Sequence, residues 1–355
     1  MKPIRLPPDA RVLVVAMRRL GDVLLTTPLI RSVKRAFPAA SIDALVFAGT
    51  EGILSGNPDL ACVMTVSERP GIGESLALLR RIGRRYDLAL STQTGDRPTA
   101  YAVLAGRQSA GPLVSGKMST AVKRLALSRS YTTDRARHRI VDLLRLADLL
   151  GISPCAEIVV PQGPARAGVL PVKPYAVVHA APKYTYKRWT IDGWRQLADI
   201  VRMRGLTTVA IGSNADRPYL DQIWREGDVA RRDGALTWPE LSALIGGAHV
   251  YLGPDTALTH LAAATGTPTI GLYGPTDPRI WGPWPAGGLD RPWQASDRIQ
   301  RRGNVWLVQK PLPCLPCQLE GCERRLDSHS RCLDELSAGD VVSALDEALA
   351  VRHAA

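Results

Sequence analysis

Asp22 is the first residue whose type and position suggest chemistry. It ends the short turn Arg18–Asp22, which follows a continuous apolar run, Arg11–Met17. Such a run is typical of a parallel strand buried on both faces, so the turn is expected at the carboxyl edge of a sheet. A carboxylate at that edge can act as a general base toward a bound hydroxyl group. The alternative is that Asp22 caps a helix beginning at Val23.

The stretch Tyr251–Pro278 carries a second group of polar residues. Its pattern predicts a strand over His249–Leu252 that is broken by Gly253-Pro254, and then a helix over Ala257–Thr265. A second buried strand over Thr269–Tyr273 follows. A helix that begins after a glycine-marked turn presents free backbone N–H groups, which suit a phosphate.

Within this stretch, Asp255 and Thr256 fall where the helix N-cap is expected. His260 comes four residues after Thr256 on the same helical face, so both side chains can address one ligand. The alternative is an ordinary strand–helix–strand unit whose cap is satisfied internally.

The loop after the predicted strand Tyr175–Ala180 is rich in cations. It contains His179, Lys183, Lys187 and Arg188. Positive groups at a strand end can neutralise a departing pyrophosphate, although an exposed basic loop gives the same pattern. The chain contains no GxxxxGK[ST], strand-linked GxGxxG, GxSxG or HExxH motif. This argues against a P-loop kinase, an NAD enzyme, a serine hydrolase and a zinc protease.

Four of the six cysteines are closely spaced, as Cys314-x2-Cys317-x4-Cys322-x9-Cys332. This spacing matches a site in which four thiolates hold one structural metal ion, either iron or zinc. Reduced thiols without a metal are the alternative, and His329 is a candidate to replace one thiolate.

Strand and helix patterns alternate along most of the chain, which predicts two doubly wound, Rossmann-like α/β domains. The pattern dissolves into Pro, Gly and Ala over 151–174, which we interpret as a linker. The predicted domains are residues 1–160 and 161–355, the second carrying the Cys-rich segment 314–332. The carboxyl edges of the two sheets are expected to face each other across a ligand-binding cleft.

The net charge of +12 is concentrated in the first half. Residues 1–150 hold 23 Lys and Arg against 12 Asp and Glu, whereas residues 151–355 hold 22 against 21. Such a basic half suits an anionic partner: nucleic acid, a membrane surface or a phosphorylated substrate. The sequence shows no apolar run of about 18 residues and no signal-peptide pattern, so a cytoplasmic protein is expected.

Four segments, in order, resemble the ADP-heptose:lipopolysaccharide heptosyltransferases of glycosyltransferase family 9, which have the GT-B fold. The resemblance covers most of the chain. It is carried by Arg19–Leu24, Lys187-Arg188-Trp189, Pro254–His260 and Gly271–Pro278.

The resemblance implies an inverting transfer of heptose from ADP-heptose to the lipopolysaccharide inner core, either lipid A-Kdo or a heptosyl acceptor. Asp22 would deprotonate the acceptor, and Lys187 would bind the donor diphosphate as a second catalytic residue. The other implied donor-binding residues are His179, Ala180, Lys183, Asp255, Thr256, Ala257 and His260. No cofactor is implied for catalysis. The first domain would bind the anionic acceptor and the second the nucleotide sugar, in peripheral contact with the inner face of the inner membrane.

Two positions depart from the family pattern. Ala180-Ala181 stands where hydroxyl residues often contact the phosphates, and Ala257 replaces a frequent glycine. A related branch that glycosylates autotransporter proteins holds iron with four cysteines, so a protein acceptor is an alternative, as is another nucleotide sugar. A nucleic-acid-binding metalloprotein is a further alternative, although the basic residues are not interleaved with aromatic ones and no nucleic acid is expected as a partner.

Overall fold

The structure, a computed structural model, describes residues 6–116, 118–172 and 174–354. The chain divides into two units, Met1–Pro161 and Gln162–Ala355. The described part of 151–174, which contains this division, is irregular. None of the helices in the described residues is both long enough and apolar enough to cross a membrane.

The first unit is built on a six-stranded parallel sheet. Its strands are β1 (Arg11–Ala16), β2 (Ser41–Phe47), β3 (Cys62–Val66), β4 (Tyr86–Ser91), β5 (Gly106–Leu113) and β6 (Arg129–Thr132). Their order across the sheet is β3-β2-β1-β4-β5-β6. Alternate residues of β1 enter two separate cores, with Val12 and Val14 on one face and Leu13 and Val15 on the other. Burial on both faces explains why this strand reads as an unbroken apolar run.

Helices cover both faces of this sheet. They are α1 (Leu20–Leu24), α2 (Thr27–Ala36), α3 (Ile72–Ile82), α4 (Asp96–Ala105), α5 (Met118–Ala126) and α6 (Arg139–Leu150). The helix start expected at Val23 is therefore wrong, since α1 already begins at Leu20 and α2 is a separate helix. Pro28 lies in the first turn of α2, and the Thr27 hydroxyl donates a 2.8 Å hydrogen bond to the Leu24 carbonyl. Proline is favoured in a first helical turn because its missing N–H is not needed there.

The second unit has a seven-stranded sheet. Its strands are β7 (Tyr175–His179), β8 (Thr207–Ile211), β9 (Ala230–Arg231), β10 (Val250–Pro254), β11 (Thr269–Leu272), β12 (Ile299–Arg302) and β13 (Val305–Val308). Their order is β12-β13-β11-β10-β7-β8-β9, and only the β12–β13 pair is antiparallel among the pairings described.

The helices of the second unit complete the doubly wound arrangement. They are α7 (Ile191–Met203), α8 (Arg217–Ile223), α9 (Trp238–Gly246), α10 (Ala257–Ala264), α11 (Pro278–Trp281), α12 (Arg331–Asp334) and α13 (Ala338–Ala354). The predicted break at Gly253-Pro254 is wrong, because both residues remain in β10 and are paired with Gly271 and Leu272 of β11. The two-domain α/β prediction is confirmed.

Candidate functional site

Asp22 lies at the point where the strand order of the first sheet reverses. The chain moves outward from β1 through β2 to β3 on one side, and from β4 through β5 to β6 on the other. The loops that follow adjacent β1 and β4 therefore diverge and leave a crevice at the carboxyl edge, where open α/β sheets bind ligands. Asp22 follows β1, and Thr92 follows β4.

Two arginines flank the Asp22 carboxylate. Arg18 Nη1 lies 3.5 Å from Asp22 Oδ1, and Arg139 Nε lies 4.0 Å from the same oxygen. Arg139 is fixed by a 2.6 Å hydrogen bond from its Nη2 to the Thr92 carbonyl. Helix α1 has Arg19 at its N-cap, so Asp22 lies inside the first turn rather than at the cap position. The site therefore joins a carboxylate that can accept a proton to guanidinium groups that can bind an anion.

The second unit repeats this arrangement at the β7–β10 reversal. His179 ends β7, Lys187 lies in the loop that follows, and Asp255 follows β10. Lys187 Nζ lies 2.5 Å from Asp255 Oδ2 and donates a second hydrogen bond, of 3.2 Å, to the Asp255 carbonyl. The Thr276 hydroxyl donates to the same Asp255 carboxylate at 2.6 Å.

The Asp255 carboxylate is buried yet well satisfied. Burial alone would raise its pKa, but the Lys187 ammonium, the nearby His260 imidazole and the hydrogen bonds outweigh burial and lower the pKa below its ordinary value. Asp255 is therefore an internal partner of Lys187. The N-cap of α10 is Thr256, with Ala257 as the first helical residue and buried His260 one turn further on.

The remaining sequence-predicted donor residues lie on the loop after β7. His179 is buried, with Nδ1 3.5 Å from the Ile211 carbonyl, and burial lowers its pKa to about 4. His179 is therefore neutral near pH 7 and offers a hydrogen-bonding group, whereas a cation had been expected from its sequence context. Ala180 is buried, and exposed Lys183 places its ammonium 5.8 Å from the centre of the Tyr184 ring.

The four clustered cysteines occupy one irregular segment and the short helix α12. Cys332 is buried, and burial together with the neighbouring thiols of Cys317, Cys322 and Cys314 raises its pKa to about 12. Cys322 Sγ accepts a 3.3 Å hydrogen bond from the Arg331 N–H. In the geometry described for residues 6–116, 118–172 and 174–354, no three His, Cys, Asp or Glu side chains are arranged to hold a metal ion.

This cysteine segment packs against both loops that hold Asp255. The Ser330 hydroxyl donates a 2.7 Å hydrogen bond to the Tyr186 carbonyl, next to Lys187. The Gln318 N–H donates to the Pro275 carbonyl at 2.8 Å, next to Thr276.

Gly274 lies beneath the same segment. A Cβ added there would be 2.9 Å from the Leu333 side chain and 3.3 Å from Cys332 Sγ, so any other residue would have to displace the buried Leu333.

Sequence reasoning missed Arg139, Thr276 and Ser330 as parts of these sites. Arg139 belongs to a visible basic cluster with Arg135 and Arg137, but only the fold shows which of the three reaches Asp22. Thr276 lies in the Gly271–Pro278 segment that carried part of the resemblance.

Comparison with known proteins agrees with this architecture. Residues 75–288 match the model of glycosyltransferase family 9 (heptosyltransferase). Lipopolysaccharide heptosyltransferase 3 of Escherichia coli K12 is 30% identical over 293 residues, covering 76% of this chain and 83% of that protein.

Two solved structures share the fold. E. coli ADP-heptose lipopolysaccharide heptosyltransferase II has a TM-score of 0.75 at 18% identity, covering 97% of this chain and 99% of its own. E. coli heptosyltransferase WaaC, solved with ADP, has a TM-score of 0.72 at 22% identity, covering 95% and 99%. The GT-B fold class expected from the resemblance is thus confirmed. This chain belongs to glycosyltransferase family 9, the heptosyltransferase family, and is a glycosyltransferase.

Proposed function

We propose that this enzyme transfers heptose from ADP-heptose to the inner core of lipopolysaccharide, with inversion at the anomeric carbon. The acceptor is lipid A-Kdo or a core that already carries heptose. The observation that carries the proposal is the Asp22 carboxylate at the β1–β4 reversal, flanked by Arg18 and Arg139. The family match and the name of the 30% identical relative support the choice of sugar and acceptor.

Asp22 acts as the general base in this proposal. Its carboxylate takes the proton of the acceptor hydroxyl as that oxygen attacks the anomeric carbon of the donor. The bond between the anomeric carbon and the diphosphate oxygen breaks in the same displacement, and ADP leaves with the electron pair. Attack opposite the leaving group inverts the anomeric configuration.

The second unit binds the donor and stabilises the departing diphosphate. The N-terminal end of α10, from Thr256 and Ala257, presents backbone N–H groups to a phosphate, while Lys187 adds a positive charge. Neutral His179 and buried His260 contribute hydrogen-bonding groups, with Ala180 and Lys183 on the loop beside them. The fixed Lys187–Asp255 pair keeps the ammonium in place before the donor arrives.

The first unit recognises the acceptor. Its excess of 11 positive charges over residues 1–150 suits a phosphorylated, Kdo-bearing core. We place the enzyme in the cytoplasm, in peripheral contact with the inner face of the inner membrane, where such an acceptor is available.

Cys314, Cys317, Cys322 and Cys332 form a donor set suited to one structural iron or zinc ion, which four thiolates would hold without an open position for substrate. Cys314, Cys317 and Cys322 lie close enough to Cys332 to raise its pKa, although the described geometry does not bring three of the four thiols to a common centre. Elemental analysis of protein purified anaerobically under reducing conditions tests this, with about one metal per chain expected. A stable, active and metal-free preparation would exclude the site.

The function is tested by incubating the purified enzyme with ADP-heptose and defined acceptors. We expect ADP release and addition of one heptose to a Kdo-bearing lipid A core, detected by mass spectrometry, with the new linkage inverted by NMR. Transfer of heptose to an autotransporter protein, with no transfer to a lipopolysaccharide core, would show that the acceptor is a protein. Binding of ADP without heptosyl transfer to either would refute the proposal. Mass spectrometry of lipopolysaccharide from a deletion strain would identify the position that is added.

A further inference from the structure

Three neighbouring helices cover one face of the first unit's sheet. Helix α3 contacts α4, and α4 contacts α5. The inner sides of α3 and α4 share a core with β1, formed by residues that include Leu13, Val15, Leu78, Ile82, Tyr101 and Ala105. We call α3, α4 and α5 the helical layer.

The outer surface of the helical layer is unusually apolar. Half of the ten exposed large apolar side chains found among the described residues lie on these three helices: Ile72, Leu76, Leu104, Val122 and Leu125. The most exposed are Leu125 at 88%, Ile72 at 82% and Val122 at 67%. Single exposed aliphatic residues are normal on a soluble protein, but a concentration on adjoining helices indicates a contact surface.

Helix α5 is turned with a polar side inward. The Lys123 side chain is only 14% exposed. Its Nζ lies 2.6 Å from Asp96 Oδ1 and donates a 2.6 Å hydrogen bond to the Thr94 carbonyl. These contacts anchor the helix and direct Val122 and Leu125 toward solvent. Most surface helices instead turn their apolar side toward the core.

The charge of the helical layer indicates what covers it. The three helices hold five Lys and Arg against two Asp and Glu, a net charge of +3, and exposed Arg124 precedes Leu125 on α5. An apolar surface with basic flanks is typical of elements that lie on anionic bilayers, where the cations meet phosphates and the aliphatic groups enter the interface. Two copies of this chain would bring like charges together, so charge complementarity favours the bilayer.

We infer that the helical layer docks on the surface of an anionic lipid bilayer, with Val122 and Leu125 inserted at the interface and Arg124 among the headgroup phosphates. The inference rests on the proposed function for its biological setting, because a lipid A acceptor is itself anchored in a bilayer. It locates the membrane contact on outward-facing side chains of the helical layer, which are distinct from the residues that flank Asp22.

Vesicle flotation tests the docking surface. The full-length enzyme is mixed with vesicles of phosphatidylethanolamine and phosphatidylglycerol, or with phosphatidylcholine vesicles as the uncharged comparison. We expect V122S/L125S to reduce partitioning onto the anionic vesicles by about tenfold or more, because burial of two aliphatic side chains is lost. Arg124→Gln should weaken binding to the anionic vesicles alone. The matched control is Met203→Ser on α7, whose side chain is 74% exposed in the other unit.

The remaining readouts separate docking from catalysis. In V122S/L125S, ADP binding and transfer to a deacylated, soluble core acceptor should equal those of the wild type. Unchanged vesicle binding in V122S/L125S, or an equal loss in Met203→Ser, would overturn the inference. A change from dimer to monomer in V122S/L125S with vesicle binding intact would instead assign the surface to a second copy. Vesicle binding by a wild-type enzyme that transfers no heptose would leave the docking surface standing and refute the proposed function.

Discussion

The Ser330 hydroxyl donates a 2.7 Å hydrogen bond to the Tyr186 carbonyl, which joins the cysteine segment to the loop carrying Lys187. Ser330 lies two residues before Cys332 and is the N-cap of α12. Because Gln318 makes a similar contact beside Thr276, the same segment holds both loops whose side chains bind Asp255. The cysteine segment therefore positions the two loops of the proposed donor site.

Ser330→Ala should weaken ADP binding by about fivefold, the equivalent of one hydrogen bond worth roughly 1 kcal/mol. The KM of the acceptor should not change, and Ser330→Thr should restore ADP affinity because it keeps the hydroxyl. Titration calorimetry with ADP is the measurement. Ser328→Ala is the matched control, since among the described residues the Ser328 hydroxyl bonds within the segment, to the Glu320 and Arg325 carbonyls. An equal loss in both variants would show a general structural effect.

Asp22→Asn should lower kcat by about 100-fold or more, because an amide cannot accept the acceptor's proton. ADP affinity should remain near that of the wild type, since Asp22 lies in the first unit. The fold should be retained, because Arg19 occupies the N-cap of α1. Steady-state kinetics and ADP calorimetry on the same preparation test this. Near-normal turnover would remove Asp22 from the mechanism.

Lys187→Ala should destabilise the protein in a pH-dependent manner. In the wild type the pKa of Asp255 is lowered, so its contribution to the free energy of unfolding is present above the ordinary carboxyl pKa and is lost as pH falls through the folded value. Without Lys187, burial would raise that pKa and penalise the carboxylate at neutral pH. The deficit should be about 3–5 kcal/mol at pH 7 and shrink toward pH 3.

Urea unfolding of wild type and Lys187→Ala across this pH range is the measurement. Arg204→Ala is the control, because its partner Asp346 is largely exposed and the deficit should stay small throughout. A deficit that does not vary with pH would contradict the assigned role of the Lys187–Asp255 pair.

His179 should make the wild-type enzyme lose stability in mild acid. Its folded pKa of about 4 lies below the ordinary value of 6.5, so the unfolded chain binds the proton more readily between these values. The free energy of unfolding should therefore rise with pH from 4 to 6.5, by roughly 3 kcal/mol from this residue. His179→Gln should flatten that rise, whereas His329→Gln, at an exposed position, should not. If the free energy of unfolding changes with pH in the same way in all three proteins, His179 is not a buried neutral imidazole.

Arg18→Glu should raise the KM of the anionic acceptor and reduce its dependence on salt, because Arg18 lies beside Asp22. Arg84→Glu should do neither. Arg84 precedes β4 at the amino edge of the sheet, and a six-residue strand separates it by roughly 20 Å from the carboxyl edge. Acceptor kinetics at low and physiological salt distinguish the two variants. Equal effects would mean that the charge of the first unit acts only as a diffuse field.

Strands β1 and β7, which precede Asp22 and Lys187, end within one residue of the predicted positions because they are buried on both faces. Strand β10, which precedes Asp255, ends two residues later than predicted, because Gly253-Pro254 usually interrupts a strand. The segment from α4 to β6 resisted prediction since β5 contains Gly111-Pro112, which usually interrupts a strand. In the structure β5 pairs with β4 only as far as Ala110, so Pro112 costs no hydrogen bond there.

For the site residues, the sequence predicted single positions but not the contacts between them. Asp22 and Lys187 were found because turns after apolar strands mark a sheet edge. Their partners Arg139 and Asp255 lie 117 and 68 residues away along the chain. Local patterns carry no information about such pairings, which only the strand order creates.

The two sets of candidate residues have a consequence for how such enzymes diversify. Asp22 and its arginines lie wholly within Met1–Pro161, whereas the residues proposed to hold the donor lie wholly within Gln162–Ala355, and each unit has its own hydrophobic cores. Recombination in the irregular segment around Pro161 would replace one unit, together with its proposed substrate preference, and would leave the other unit intact. Selection can therefore change the acceptor preference and the donor preference independently. A chimera joined at this position would take its acceptor preference from one parent and its donor preference from the other.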